Sequence, residues 1–354
     1  MARRAVNAVP FGGVQVRVPP SPVVKEVVMK LEDIGFYTLS DKRAMNASDT
    51  SPLQRCELIL TDRCNLRCPY CRGVRPEIRG DMPFKQALKT VDLWIAQGLK
   101  NVRFSGGEPT LYKGLGKLVD RCRGGGVERI AISTNGTAKL ETYLALVGAG
   151  VNDFSISLDG GCCAVGTDMA GGVKGAWAKA VESIRTLSKI TYVTVGMVFT
   201  EANVDQCVEA VLFVDSLGVS DIRVIPAAQY NKALTNLADL PNEILDKYPI
   251  LKYRIGNLNA GQNVRGICDG NCRKCWLALD DMAVAGKWHF PCIIHLREGG
   301  DPIGEVGPNM RADRLRWILE HDSGADPICA KNCLDVCVAY NDTASAAHPV
   351  EVTV

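Results

Sequence analysis

No apolar run in this 354-residue chain reaches the ~18 residues needed to span a bilayer; stretches such as "YVTVGMVF" fall far short. The amino-terminal "MARRAVNAVPFGG" has two arginines but lacks an apolar segment followed by a small-residue cleavage site, so it bears no mark of a signal peptide. A surplus of one charge is also missing. The formal net charge of +2 argues against nucleic acid or a membrane surface as the partner. There is no low-complexity tract and no short-period repeat. With 47% apolar and 23% charged residues, the composition is that of a globular protein with enough chain for a sizeable core. Together these absences place the chain in the cytoplasm, where thiols stay reduced.

Cysteine is abundant. Fifteen are present, several in tight groups, and an odd, clustered set in a reducing compartment points to metal rather than disulfides. "TDRCNLRCPYCRG" (61–73) holds Cys64, Cys68 and Cys71 as C-x3-C-x2-C. A closed zinc site needs four ligands and a disulfide needs two. Three thiolates on a four-iron cluster leave one iron open to an outside chelator.

The surrounding chain alternates. "CELILT", "NVRFSGGE", "ERIAISTNG", "DFSISLDG", "TYVTVGMVFT" and "DIRVIPAAQ" are β-rich, and helical patterns such as "PFKQALKTVDLWIAQG" and "GAWAKAVESIRTLS" separate them. Six β/α units over about 175 residues predict an α/β fold with a parallel sheet and helical crossovers, either a partial barrel or a doubly wound sheet. Residues 1–52 read as an extension with a strand, "VQVRV", and a short helix, "PVVKEVVMKLEDIG"; "NASDTSP" reads as a loop. Residues 53–230 form the alternating core, and 231–354 read as an irregular tail with seven cysteines. In parallel α/β folds functional residues gather beyond the carboxyl ends of strands. The three-cysteine loop lies there, after the first strand.

That loop, with Tyr70 before its last cysteine, resembles the radical S-adenosylmethionine (SAM) superfamily. "SGGEP" at the end of the second strand strengthens the likeness. The resemblance implies a partial (β/α)6 TIM-like barrel and a [4Fe–4S] cluster on Cys64, Cys68 and Cys71. Its open iron would bind SAM, whose reductive cleavage yields a 5′-deoxyadenosyl radical. The expected SAM-binding residues are Tyr70, Gly106, Gly107, Glu108, Pro109, Ser133, Asn135, Ser157, Asp159 and Met197, with Val198 beside it. Gly106 and Gly107 would let a ligand approach the backbone, and Glu108 would accept from its ammonium. Relatives with the "LDG" ending often carry a nearby arginine for the SAM carboxylate. Here "GGCCAVGTDMAGGVKGAW" has none, and Lys174 is the nearest cation. Cys162 and Cys163 in that loop are candidate hydrogen donors to a substrate radical, set against the inert role of most free cysteines.

The tail resembles the SPASM or twitch extension, in which a hairpin between two cysteines frames an auxiliary cluster. The candidates are Cys268, Cys272, Cys275, Cys292, Cys329, Cys333 and Cys337. At least one auxiliary cluster is expected, with Cys275, Cys292 and two of the last three the favoured set and Gly286 at the hairpin turn; seven thiols could also serve two clusters. Two departures stand: five residues separate Gly286 from Cys292 where four are usual, and the last group is C-x3-C-x3-C. His295, Arg297 and Glu298 could reach a substrate near that cluster. The implied partners are a small-molecule or peptide substrate and a flavodoxin- or ferredoxin-type electron donor; the alternatives within the family are a peptide- or protein-modifying maturase and an enzyme of nucleoside or nucleic-acid modification. Rival readings are a zinc module built on both cysteine groups, or an electron-transfer protein. Neither accounts for the Gly-Gly-Glu-Pro strand end.

Overall fold

The computed structural model describes residues 39–73, 78–226 and 232–348. The expected "VQVRV" strand and "PVVKEVVMKLEDIG" helix lie outside these residues.

The described chain forms one nine-stranded sheet. Its strands are β1 (Arg55–Ile59), β2 (Asn101–Ser105), β3 (Arg129–Thr134), β4 (Asp153–Ser157), β5 (Tyr192–Phe199), β6 (Asp221–Pro226), β7 (Asp281–Ala285), β8 (Trp288–Phe290) and β9 (Gly304–Glu305). β1 to β6 are parallel and adjacent in chain order, with helices at the crossovers. The order β6-β5-β4-β3-β2-β1-β7-β8-β9 leaves the sheet open, as in a partial barrel.

The helices form where apolar residues recur every three to four positions. In the helix Phe84–Ala96 this buries Ala87, Thr90, Val91 and Trp94 on one face. Leu115–Gly124 likewise buries Leu115, Leu118, Val119 and Cys122. The strands alternate. In β5, Val193, Val195, Met197 and Phe199 are fully buried, whereas Gly196 and Val198 line the interior cavity. Each such large side chain contributes roughly 1.5–3 kcal/mol on burial.

The tail, expected to be irregular, carries the helices Lys232–Leu237, Asn242–Lys247, Pro249–Asn259 and Met310–Glu320 among others. Leu234, Leu237, Leu245 and Leu251 share the barrel's core cluster, so packing is continuous across residue 230. Short helices with interrupted periodicity leave little trace in a sequence, which is why this stretch read as coil. β7 and β8 form an antiparallel hairpin that turns at Gly286, where φ is +58°. β7 also pairs in parallel with β1, Arg55 opposite Asp281 and Ile59 opposite Ala285, and so extends the barrel sheet.

Arg314 organises the tail. It is fully buried, and its guanidinium donates to the carbonyls of Ala278 (2.6 Å), Phe290 (2.9 Å), Pro291 (3.1 Å) and Asp281. These carbonyls satisfy a charge that would otherwise be costly to bury. No helix of the described residues is long and apolar enough to cross a membrane.

Candidate active site: two cysteine groups on one cavity

The three-cysteine loop leaves β1 and folds against the end of β2. Gly107 N–H donates to the Thr61 carbonyl and Glu108 N–H to the Arg63 carbonyl, both at 2.7 Å. A Cβ on Gly107 would lie 2.6 Å from the Arg63 carbonyl carbon and 2.7 Å from the Asp62 oxygen. Gly106 has φ +150°, and a Cβ there would crowd the Thr61 backbone. The close approach that this glycine pair permits is therefore to the loop's own backbone. Gly171 buttresses the other side: it sits at φ +75°, and a Cβ would lie 2.6 Å from the Arg67 carbonyl carbon.

The loop presents its sulfurs outward. Cys64 and Cys71 are exposed and Cys68 is half-buried. Cys64 Sγ accepts from Leu66 N–H (3.4 Å) and Asn135 Nδ2 (3.8 Å), and Cys71 Sγ accepts from Gly73 N–H (3.3 Å). Donors aimed at sulfur stabilise thiolate. Partial burial pushes the Cys68 thiol up to about 11 and Cys64 upward as well. As free thiols both stay protonated at neutral pH, and a bound metal would have to draw off the protons. Three sulfurs gathered on one loop, two of them with N–H donors behind them, fit an iron–sulfur cluster.

Glu108 differs from expectation. It is 1% exposed and turned away from the cavity. Its Oε1 accepts from Thr110 N–H (3.0 Å), Thr110 Oγ1 (2.7 Å) and Thr134 Oγ1 (2.8 Å); its Oε2 accepts from Asn135 N–H (2.7 Å). Burial still raises its pKa. Its lone pairs are spent on tying the end of β2 to the end of β3, so it is not poised for a ligand's ammonium. Pro109 is buried as the first residue of a 3-10 turn. Met197 is a correction of the same kind. Strand alternation sends it into the core and leaves the neighbouring Val198 to face the cavity.

Tyr70, Gly106, Gly107, Ser133, Asn135, Ser157 and Asp159 all line a cavity of about 750 Å³. The Tyr70 hydroxyl donates to the buried Asp159 carboxylate, whose other oxygen takes Val198 N–H at 2.7 Å. Burial holds Asp159 up at about 6. This contact clasps the cysteine loop to the ends of β4 and β5. Cys162 and Cys163 lie elsewhere. Both are exposed, at the start of the helix Cys163–Met169, and neither lines the cavity. The close contacts of Gly160 with Gly166 and of Gly161 with Ala210 carry the chain outward there. A hydrogen-donor role for this pair has no support in that placement. Lys174 is exposed and does not line the cavity.

The same cavity reaches the tail, where Cys275, Cys292, Cys329, Cys333 and Cys337 line it. Burial, then the Asp281 carboxylate and Cys337, pushes Cys292 up to about 12, against the His295 N–H that donates to it. Cys268 and Cys272 do not line it. Cys268 is exposed, and Cys272 is held by Lys274 N–H at 3.3 Å. Their separation from Cys275 follows from local turns that point the earlier two sulfurs away. Arg297 joins tail to barrel: it donates to the Gly73 carbonyl (3.0 Å) and the Gly106 carbonyl (3.2 Å). Glu298 pairs with Arg72.

Several cavity residues had not been singled out. Arg55, Glu57, Arg103, Ser105 and Arg223 point inward from the strands. Their signal was polar alternation within "RCELI", "NVRFS" and "DIRVIP", unusual for a parallel sheet covered by helices. Arg254 and Arg265 also line the cavity. Arg265 is 8% exposed, and its Nε has no hydrogen-bond partner.

Residues 58–214 match the radical SAM superfamily. The GTP 3′,8-cyclase of Pelotomaculum thermopropionicum is 43% identical over 105 residues, which cover 28% of this chain and 32% of that protein. The GTP 3′,8-cyclase of Staphylococcus carnosus is 28% identical over 193 residues, 51% of each chain. Molybdenum cofactor biosynthesis protein 1 of Drosophila melanogaster is 34% identical over 105 residues, 28% of this chain and 19% of the relative. The chain thus spans from 19% to about half of these relatives' lengths. Among solved structures, Streptococcus suis SuiB bound to S-adenosylmethionine superposes with a TM-score of 0.57 at 18% identity, over 79% of this chain and 67% of that one. The anSMEcpe structure with bound AdoMet and Cp18Cys peptide gives 0.58 at 16% identity, over 84% and 97%. These two likenesses are to the fold. The cysteine loop, its docking on the Gly-Gly strand end and the match over residues 58–214 mark that stretch as a radical SAM domain.

Proposed function

We propose that the chain is a radical SAM enzyme whose substrate is a small anionic molecule held between the SAM cluster and an auxiliary iron–sulfur cluster. The observation behind this reading is the shared cavity. Both cysteine groups open onto it, and Arg72, Arg254, Arg265 and Arg297 line the wall between them. Arg265 carries the argument furthest, since it is buried and its Nε meets no hydrogen-bond partner among the described residues. Burial and the neighbouring Arg72 and Arg254 press its pKa down to about 10 against the opposing pull of Asp335, so it remains charged at neutral pH. A buried guanidinium with an unspent donor is costly, and a phosphate or carboxylate would answer it with paired hydrogen bonds. The curated relatives that act on GTP agree with a phosphorylated substrate.

Cys64, Cys68 and Cys71 would hold the SAM cluster. Cys275 and Cys292, with two of Cys329, Cys333 and Cys337, would hold the auxiliary one. When bound, cluster and SAM supply the 5′-deoxyadenosyl radical. The chain's own residues position and shield. Gly106, Gly107 and Gly171 seat the cysteine loop. Tyr70 and Asp159 close it over the strand ends, and Ser133, Asn135 and Ser157 offer polar contacts along the rim. Arg297 holds the tail against the loop and narrows access for water. A reducing cytoplasmic setting with a flavodoxin- or ferredoxin-type donor suits fifteen free thiols.

The test is anaerobic reconstitution, reduction with dithionite, and measurement of 5′-deoxyadenosine from SAM. GTP, an uncharged nucleoside, a short peptide and an oligonucleotide are each added in turn. Stimulation by GTP, weakened in KM by Arg265→Gln, is the expected result. No 5′-deoxyadenosine with a filled and reduced cluster and no SAM binding would overturn the enzyme reading. Stimulation by the peptide alone would overturn the small anionic substrate.

A further inference from the structure

Five tail thiols line the cavity, one more than the four that close a cluster. Cys329 neighbours Cys275 and Cys292 but also meets a second set of ligands. One ligand atom each of His295, Asp326 and Cys329 converge, all within 4.8 Å of one another. His321 stands beside the group. Its Nε2 is 3.7 Å from Asp326 Oδ2 and 4.0 Å from Cys329 Sγ, and His295 Nε2 is 3.4 Å from the same carboxylate oxygen.

The 3.4 Å between His295 Nε2 and Asp326 Oδ2 is longer than a good N–H···O bond of about 2.7–3.2 Å. With metal–nitrogen and metal–oxygen distances of about 2.0–2.2 Å and metal–sulfur of about 2.3 Å, neighbouring ligand atoms stand about 3.3–3.7 Å apart. The His295–Asp326 pair already has such a spacing, and the pairs with Cys329, within 4.8 Å, need closure by up to about 1 Å. The carboxylate is also divided in its duties. Asp326 Oδ1 accepts from Ile328 and Cys329 N–H, both at 2.8 Å, and caps the helix Cys329–Asn332. That leaves Oδ2 facing the two imidazoles. The rings are held in place as well. Trp317 stacks on His321 with centroids 4.0 Å apart and planes at 18°. Gly300 lies against His295 so closely that a Cβ would come within 2.7 Å of Nε2.

We infer that His295, Asp326 and Cys329 bind one zinc ion, distinct from both iron–sulfur clusters. An imidazole, a carboxylate and a thiolate form a borderline donor set suited to tetrahedral zinc, with water in the fourth position. The ion would pin the 326–329 segment to the helix Ile293–Arg297, and so set the spacing between Cys292 and Cys333. The auxiliary cluster is then left with Cys275, Cys292, Cys333 and Cys337.

The test is metal content and zinc X-ray absorption on the anaerobically purified holoprotein, neither of which depends on SAM cleavage. About one zinc per chain, with a first shell of nitrogen and oxygen and a single sulfur, is expected. His295→Ala and Asp326→Ala should lose the zinc and keep the iron. With cobalt in place of zinc, the thiolate-to-cobalt absorption band should vanish in Cys329→Ser. No zinc in the wild-type holoprotein, or a zinc shell dominated by sulfur, overturns the site without recourse to any variant. Loss of iron from Cys329→Ser to the same extent as from Cys275→Ser overturns it too, by making Cys329 a cluster ligand. A holoprotein with this zinc but no SAM cleavage would leave the inference standing and bring down the proposed function instead.

Discussion

Gly107→Ala tests whether the Gly-Gly strand end serves chiefly to seat the cysteine loop. No left-handed φ is involved at Gly107, so the added methyl acts by bulk alone. It would lie 2.6 Å from the Arg63 carbonyl carbon and 2.7 Å from the Asp62 oxygen. Carbon contacts settle at about 3.5–4.0 Å, so the loop must retreat by about 1 Å. Retreat breaks the two 2.7 Å bonds from Gly107 and Glu108 N–H to the loop carbonyls. Overpacking at about 1–3 kcal/mol and two net hydrogen bonds at about 1 kcal/mol each give a local cost of about 3–5 kcal/mol. Cys64 follows Arg63 directly, so the displacement reaches the first sulfur. A shift of that size at a reacting centre lowers turnover about 100-fold. The assay is 5′-deoxyadenosine formation together with iron per chain. Gly116→Ala is the control: its Cβ meets nothing within 4 Å in the helix Leu115–Gly124, and it should stabilise by up to about 1 kcal/mol. If Gly107→Ala bound iron and cleaved SAM as the wild type does, the seating argument would fail.

Three further outcomes are expected. Serine at both Cys268 and Cys272 should leave iron content unchanged, because neither lines the cavity, whereas Cys275→Ser should remove about one cluster's four irons; colorimetric iron assay decides. Serine at Cys162 and Cys163 should leave SAM cleavage unaltered, since both are exposed outside the cavity; a large fall in 5′-deoxyadenosine yield would contradict the placement. His289 is fully buried, and burial followed by the Arg314 charge holds its pKa down to about 3. The unfolded chain therefore takes up the extra proton below about 6.5, and stability falls as pH drops from there toward 3, by about 2 kcal/mol at pH 5. His289→Gln should flatten that part of the pH profile in urea unfolding, and an unchanged slope would refute it.

What could be read from the sequence was whatever is encoded locally. The cysteine loop spans eight residues from Cys64 to Cys71, the strand end at 105–109 follows a single β/α unit later, and the hairpin around Gly286 is one turn. Each is specified by neighbours in the chain. Glu108 and Met197 show the limit. Both belong to stretches that do border the site, but side-chain direction decided their roles, and direction depends on partners such as Thr134 and on the phase of β5. Arg254 and Arg265 lay beyond reach for a different reason. They come to the cavity only because helices from the tail pack on the barrel core, a long-range contact with no local pattern. The grouping of His295, Asp326 and Cys329 has the same origin, two separate segments brought together by the tail's own fold.

The tail is therefore part of the barrel's site and not an appendage to it. β7 lies on β1 in the register that sets Asp281 against Arg55, and the two form an ion pair at the floor of the cavity. At the mouth, Arg297 grips the carbonyls of Gly73 and Gly106, one at the exit of the cysteine loop and one at the strand end on which that loop is seated. Arg297 follows Cys292 by five residues, through a single helical turn that also carries His295. A displacement of Cys292 must then pass through a short rigid element into the two backbone segments that fix Cys64 and Cys71. Geometry at one cysteine group cannot be set independently of the other.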